Sequence, residues 1–386
     1  MEKFELIVKT LFGLESVLAQ ELKALGATKL ELLNRAVKCE ADKFIMYKAN
    51  LHLRTGVKVL MPIAKFEAFN EHQLYKKVKA IPWFQYMNTA STFAIDGTTS
   101  GDRFTHSKYV ALKSKDAIAD LFREETGRRP NVELINPDLR INVHIADTKC
   151  TISLDSSGLP LGKRGYRTES TLAPLSENLA LGLILLSEWD QKTTFIDPMC
   201  GSGTIPIEAA LLCKNQAAGI NRKFNFQNWR DFDGKLWRNL TVDAKKNINK
   251  DFPKIIGYDR DPMAIEISKE NANRAGVEEH IHFEQRDFFD LESESTDPKH
   301  IIMNPPYGER LEEADKMIGF YSDIGSHLKH KFEGSDAWII SSNMKALKFM
   351  GLRPSRNIKI YNGPLECKFQ KYELYKGSKK SKKQNQ

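Results

Sequence analysis

The chain has 386 residues, 41% of them hydrophobic and 28% charged, with a formal net charge of +8. That length accommodates two or three domains with substantial cores, and the composition excludes a disordered, collagenous or membrane-embedded chain. Five cysteines, Cys39, Cys150, Cys200, Cys213 and Cys367, are scattered without a Cys-x-x-Cys pair, which argues against a zinc or iron–sulfur site. An odd cysteine number, no secretory signal and no apolar run of about 18 residues make a reducing cytoplasm the expected location, with no membrane partner.

In chain order, Phe4 to Thr10 reads as a strand. Gly13 to Leu25 reads as an amphipathic helix with Leu14, Val17, Leu18, Leu22 and Leu25 on one side, ended by Gly26. Helices are expected at Glu71 to Ala80 and Ser107 to Glu125, and strands at Thr92 to Ile95, Arg140 to Ala146 and Lys149 to Asp155, which is an α+β pattern. Within it, Lys76, Lys77, Lys79, Arg128 and Arg129 are candidate phosphate contacts, although a solvated charged face is the commoner role for such runs. Beyond the basic stretch Lys163 to Arg167, a helix is expected over Leu175 to Trp189.

Thr193 to Asp197 then reads as a short buried strand, followed by Pro198-Met199-Cys200-Gly201-Ser202-Gly203-Thr204 and a helix over Ile205 to Cys213. Strand, glycine turn and helix together make a ligand site, because Gly201 and Gly203 permit positive φ and let a ligand lie against the main chain at a helix N-terminus. A dinucleotide would call for a third glycine where Pro206 stands. The acidic Asp197 suits a cationic ligand better than a pyrophosphate, and S-adenosylmethionine, with its sulfonium and ammonium, fits. The long segment Lys214 to Pro253 carries the aromatic cluster Phe224 to Trp229 and a helix over Gly234 to Asn249, and is expected to cover an edge of the sheet.

The next strand, Lys254 to Tyr258, ends at Asp259, a carboxylate able to accept from both ribose hydroxyls of a nucleoside. A third strand, His280 to Gln285, ends in Arg286-Asp287-Phe288, offering Asp287 to an adenine amino group and Phe288 as an apolar wall, although each acid alone is equally explained as an N-cap. A fourth, His300 to Met303, runs into Asn304-Pro305-Pro306-Tyr307. Here the Asn304 side-chain oxygen and the Pro305 carbonyl can take the two hydrogens of an exocyclic amino group, Pro306 helps keep the backbone extended, and Tyr307 can stack on a base. Strands at Ser335 to Ser341, Asn357 to Tyr361 and Cys367 to Tyr375, with the Asn362-Gly363 turn, complete an α/β sheet ending in an antiparallel hairpin. Residues 1–165 hold 25 Lys and Arg against 19 Asp and Glu (+6), the tail 376–386 adds five lysines (+5), and 166–375 is left at −3. Phosphate contacts are therefore expected in the N-terminal part and the low-complexity tail Lys379 to Lys383.

Taken together, Asp197 to Thr204, Lys163 to Arg167, Ala173 to Leu179 and Asn304 to Leu311 resemble the THUMP-containing RNA methyltransferases, nearest to those that methylate guanine N2 in large-subunit (23S) ribosomal RNA and that are often labelled adenine-specific DNA methylases. The resemblance covers most of the chain, including Phe4 to Leu25 and Leu51 to Trp83. It implies a ferredoxin-like domain (1–65), a THUMP domain that binds structured RNA (66–158), a basic linker (159–170), a Rossmann-like class I methyltransferase domain (171–376) and a disordered basic tail (377–386). It further implies that Lys163, Arg164 and Arg167 touch RNA or order the cofactor pocket, and that Thr171, Leu172 and Ala173 lie over the methionine end of S-adenosylmethionine. With Asp197, Met199, Cys200, Gly201, Ser202, Gly203, Asp259, Asp287, Phe288 and Asn304 they form the expected cofactor site; no metal is expected. The competing readings are an adenine-N6 methyltransferase acting on RNA or DNA, a non-catalytic RNA-binding or ribosome-assembly protein, and a thiouridine synthase, for which no ATP loop is found.

Overall fold

The computed structural model describes residues 2–167, 175–292, 297–308 and 314–375. It divides into two compact units, one built from residues 1–10, 18–163 and 217–244, the other from 11–17, 164–216 and 245–386.

The first unit is a single eight-stranded sheet in the order Thr28–Leu33, Ala36–Ala41, Phe4–Thr10, Gly56–Glu67, Lys149–Asp155, Leu139–Ala146, Thr92–Ser100, Asn131–Val132. Helices Lys43–His52, Glu71–Lys79 and Ser107–Thr126 form where local signals start and stop them. Asp42 and Asn70 cap the first two through Ile45 N at 2.9 Å and Gln73 N at 3.0 Å, and Gly127 ends the third in a left-handed conformation. The strands Thr28–Leu33, Ala36–Ala41 and Gly56–Glu67 and the helix Lys43–His52 have no counterpart among the sequence-predicted elements. Thr28–Leu33 shows why, since it is an edge strand with no buried residue and so lacks the apolar alternation that announces a strand.

The aromatic segment after Lys214 differs from expectation. Phe224, Phe226 and Trp229 are buried in the core of the first unit, where Phe226 stacks on Tyr47 with ring centroids 4.2 Å apart. Gly219 N donates to the Leu51 carbonyl (2.8 Å) and Asn225 Nδ2 to that of Pro137 (2.7 Å). These rings complete a core around Tyr47, Phe93 and Trp83 and do not cover an edge of the second sheet.

In the second unit seven strands form the other sheet: β1 (Thr194–Asp197), β2 (Ile255–Asp259), β3 (Ile281–Gln285), β4 (Lys299–Met303), β5 (Asp336–Ser341), β6 (Arg356–Asn362) and β7 (Leu365–Glu373). Their order is β3-β2-β1-β4-β5-β7-β6, with β1 to β5 parallel and β7 antiparallel to both neighbours, which is the Rossmann-like arrangement with a terminal hairpin. Alternation along the strands sends Phe195, Ile302 and Trp338 to one core and Ile196, Ile301 and Ile339 to the other, so the sheet is covered on both faces. The helices that matter for the site are α1 (Glu177–Leu186), α2 (Thr204–Cys213), α3 (Pro262–Ala275) and α4 (Ala314–Lys331). No helix of the described residues is long and apolar enough to cross a membrane.

Phe226→Ala is expected to cost the first unit about 3–5 kcal/mol, the range for removing a buried aromatic ring. Chemical denaturation checks this, and S-adenosylhomocysteine affinity should stay at the wild-type value.

Candidate functional site

The strand order reverses between β1 and β4, and open α/β sheets bind ligands in the crevice at such a reversal, beyond the carboxyl ends of the strands. The glycine turn occupies that position. Gly201 has φ 54° and Gly203 φ 78°, conformations that favour glycine, and a Cβ on Gly203 would lie 2.8 Å from Ser268 Cβ and 3.1 Å from the Phe283 ring. The turn is tied down from three sides. Cys200 N donates to the Tyr258 carbonyl (2.8 Å), Gly201 N to Asp259 Oδ2 (2.8 Å), and Asn271 Nδ2 of α3 to the Ser202 carbonyl (3.1 Å). Asn271, 1% exposed, was not singled out from the sequence, where a mid-helix asparagine carries no distinguishing signal.

Three acids follow the strand ends as expected, each already partly engaged. Asp197 is 1% exposed; among the described residues it accepts Met199 N alone, at 3.2 Å, and no ion pair reaches it. Burial, reinforced by the negative charge of Asp259, pushes its carboxyl well above the usual range. Asp259 holds Gly201 N on one oxygen and Asp261 N (3.0 Å) on the other, leaving a second lone pair on each. Asp287 accepts Phe289 N at 2.9 Å and so does cap the short turn Phe288–Asp290. Phe288 departs from expectation: its ring is 3% exposed, edge-on to His327 and stacked on Phe332 in the core under α4. A side chain that size with no free surface offers no wall to a ligand. Cys200 is buried as well, and burial drives its thiol well above the normal range, which removes it as a nucleophile. Met199, partly buried, packs against the core beneath the turn.

Asn304 lies beside that turn. In the parallel pairing of β4 with β1, Lys299 is opposite Thr194, His300 opposite Phe195 and Ile301 opposite Ile196, so the chain leaves both strands at the same level, about 4.8 Å apart. The Tyr307 hydroxyl donates to Asn304 Oδ1 at 2.6 Å, and its ring is half-buried against the core. Burial holds that hydroxyl far above the ordinary tyrosine range, so it is a donor and not a base at neutral pH. Among the described residues no hydrogen bond reaches the Pro305 carbonyl, which is left to accept from a ligand. Tyr307 also borders a cavity of about 910 Å³ together with Ser342, Asn343 and the β6–β7 turn at Asn362 to Leu365.

Comparison with known proteins follows this geometry. Residues 5–60 match the RlmL ferredoxin-like domain, 68–155 the THUMP domain and 164–371 the RMKL-like methyltransferase domain. The chain belongs to the RMKL-like methyltransferase family. The ribosomal RNA large subunit methyltransferase K/L of Syntrophotalea carbinolica is 38% identical over 94% of this chain and 52% of its own length, so the chain spans about half of this curated relative. Among solved structures, a possible methylase from Clostridium difficile 630 is 34% identical with a TM-score of 0.89, covering 98% of this chain and 100% of that one. SMU.472, solved in complex with SAH, is 27% identical with a TM-score of 0.87 and the same coverage.

Of the two roles expected for the basic stretch at 163–167, contact with RNA or ordering of the cofactor pocket, the geometry of its arginines favours the second. The side chain of Arg164 is 4% exposed, with Nε 3.0 Å from Glu208 Oε1, and the Tyr166 hydroxyl donates to the same oxygen at 3.1 Å. Arg167 donates to Thr204 Oγ1 (2.7 Å) and to the Leu175 carbonyl (2.8 Å). Thr204 and Glu208 are four residues apart on α2, hence on one face, and the two arginines track along it. Arg164, buried, and Arg167, half-buried, are both engaged on this helix, which makes them a brace behind the glycine turn. The signal was present in α2 itself, where Glu208 is the one charge in Thr-Ile-Pro-Ile-Glu-Ala-Ala-Leu-Leu-Cys. Lys163, Lys76, Lys77, Arg128 and Arg129 are exposed, whereas Lys79 is paired with Glu124 at 2.6 Å. Thr171, Leu172, Ala173 and the lysine tail lie outside the described residues.

Arg164→Ala strands Glu208 in an apolar surrounding and should destabilise the protein by about 3–5 kcal/mol in urea unfolding. Asp197→Asn should act oppositely on the free protein. A carboxyl whose native pKa is raised loses stability as pH climbs from the ordinary carboxylate range to the raised value, so the variant should lack that slope and be about 1–2 kcal/mol more stable at pH 7. Unfolding curves taken across that pH range check both the slope and the gain.

Proposed function

We propose that this chain transfers a methyl group from S-adenosylmethionine to the exocyclic amino group of a base in structured RNA, and that the base is a guanine in 23S ribosomal RNA, modified at N2. The observation that carries the reading is the side-by-side exit of β1 and β4. On this reading Asp197, a buried carboxylate that no cation reaches among the described residues, serves one side of the crevice, and the paired acceptor of Asn304 Oδ1 and the Pro305 carbonyl serves the other. The first half fits a cationic nucleoside donor and the second an amino group conjugated to a base. RNA as the substrate is supported by the THUMP match, the net charge of +6 over residues 1–165 and the name of the K/L relative. The donor is supported by the SAH in SMU.472.

When bound, S-adenosylmethionine supplies an electrophilic methyl on sulfur. Residues of the chain do the rest. Asp259 takes the ribose hydroxyls on its free lone pairs, Asp287 takes the adenine amino group on its second oxygen, and the N-terminus of α2 behind Gly201, Ser202 and Gly203 fixes the depth of the ligand. The target base leaves its stack, at a few kcal/mol, which an unpaired position in folded RNA lowers. Asn304 and the Pro305 carbonyl accept from its amino group and turn the nitrogen lone pair toward the methyl, while Pro306 keeps that backbone extended. A nitrogen–carbon bond forms as the carbon–sulfur bond breaks, and the cationic nitrogen releases its proton to water. Collinear positioning supplies most of the acceleration. Tyr307 keeps its proton and Cys200 is buried as a thiol, so the step proceeds without a covalent enzyme intermediate.

Asn304→Ala should bind S-adenosylhomocysteine with wild-type affinity and lose about a hundred- to a thousandfold in methyl transfer, the range for a deleted oxyanion-hole group. Calorimetry and mass spectrometry of nucleosides from the treated RNA check this pair. The nucleoside analysis also separates the readings, since N2-methylguanosine supports the one proposed and N6-methyladenosine replaces it with the adenine alternative.

A further inference from the structure

Two consecutive prolines give the loop at 304–308 an unusual handicap. Pro305 and Pro306 have no N–H, so the loop lacks two backbone donors, and the Pro306 and Tyr307 carbonyls are held from outside it. Two donors from elsewhere in the second unit do this. Asn343, two residues past β5, donates through Nδ2 to the Tyr307 carbonyl at 2.9 Å. Tyr321 of α4, with no exposed surface, has its hydroxyl 3.3 Å from the Pro306 carbonyl and 2.6 Å from Ser341 Oγ. The two are coupled. Asn343 N–H donates to Ser341 Oγ (3.0 Å), which lets the Ser341 hydroxyl donate to Tyr321 and the Tyr321 hydroxyl donate onward to Pro306. Burial keeps the Tyr321 hydroxyl far above its ordinary range and therefore protonated. The remaining acceptor of Asn343, Oδ1, takes Ala346 N at 2.8 Å, at the start of the turn Ala346–Phe349.

We propose that Asn343 is the positioning residue of the transfer reaction: by holding the Tyr307 carbonyl and ordering the Ser341–Tyr321 chain on the Pro306 carbonyl, it aims Asn304 Oδ1 and the Pro305 carbonyl at the incoming amino group. This rests on the methyl-transfer reading above. It also places Asn343 in the wall of the cavity beside Tyr307, so the brace lies where an extruded base would enter. Nothing in the sequence marked it. Asn343 stands in a Ser-Ser-Asn-Met run that reads as an ordinary loop.

The discriminating variant is Asn343→Asp in the full-length protein. It keeps the acceptor that takes Ala346 N but replaces the donor at Tyr307 with a carboxylate oxygen facing a carbonyl. Single-turnover transfer should fall about 10- to 100-fold, the cost of roughly an ångström of misplacement, with the KM for RNA, the S-adenosylhomocysteine Kd and the melting temperature close to wild type. Hydrogen exchange at the Tyr307 and Gly308 amides of the S-adenosylhomocysteine-bound protein should accelerate. A transfer rate within twofold of wild type overturns the proposal, as does a rate lost in parallel with S-adenosylhomocysteine affinity. Unchanged exchange at 307–308 overturns it too, and that reading needs no RNA substrate. Failure of wild-type protein to methylate any RNA would instead count against the function proposed above, while the exchange result still decides the brace.

Discussion

Two parallel strands hydrogen-bonded side by side, β1 and β4, impose the constraint from which the chemistry of the second unit follows. The chain goes from β1 toward β2 and β3 on one side and continues from β4 toward β5 and the hairpin on the other, so the loops after the two strands diverge and leave a crevice. One wall is the glycine turn, where Gly203 passes too close to Ser268 and Phe283 to carry a side chain. The other is a loop stiffened by two prolines. Neither wall is made by the part of the chain that makes the other, and the register of Lys299 to Ile301 on Thr194 to Ile196 is what brings them level.

Around this crevice the protein treats buried charge in two opposite ways. Glu208 on α2 is fully compensated, with Arg164 and Tyr166 on its oxygens and Arg167 one turn away on Thr204, so the helix behind the glycine turn is clamped to the preceding segment. Asp197, eleven residues earlier at the end of β1, is as deeply buried and among the described residues receives one backbone N–H. Taking a carboxylate out of water without a partner costs several kcal/mol or drives it to bind a proton. On the proposed reading, a fold that compensates one acid so thoroughly and leaves its neighbour open concentrates its unsatisfied electrostatics where the cationic donor would lie.

Most of the second unit was legible because its elements carry strong local signals. Short β-branched runs end in Gly or Asp, helices alternate with them, and Asn362-Gly363 marks the hairpin. The residues at the strand ends were readable for the same reason, since in a parallel sheet every carboxyl end faces the same side. What could not be read was direction. Whether the Phe288 ring points to a ligand or to the core is decided by His327 and Phe332, about forty residues away. Whether Arg164 meets phosphate or carboxylate is decided by Glu208. The same long-range dependence hid the aromatic segment at 224–229, whose partner Tyr47 lies in the first unit nearly two hundred residues earlier. Thr28–Leu33 of the first unit escaped for a different reason: an exposed edge has no buried face to imprint a period on its sequence.

Charge partition adds the last constraint. On the proposed reading the enzyme must bring one base of a polyanion to an acidic crevice, and residues 166–375 carry −3 while residues 1–165 carry +6. Non-specific affinity for nucleic acid grows with the number of phosphates neutralised and is lost steeply with salt. A basic catalytic unit would therefore hold any RNA by its backbone, with no selection for an extrudable nucleotide. Burying Arg164 and Arg167 against α2 removes two cations from the surface nearest the glycine turn in sequence and spends them on structure instead. On that reading the crevice is left to discriminate by shape and by the amino group itself, and backbone affinity falls to the basic N-terminal part and the lysine tail.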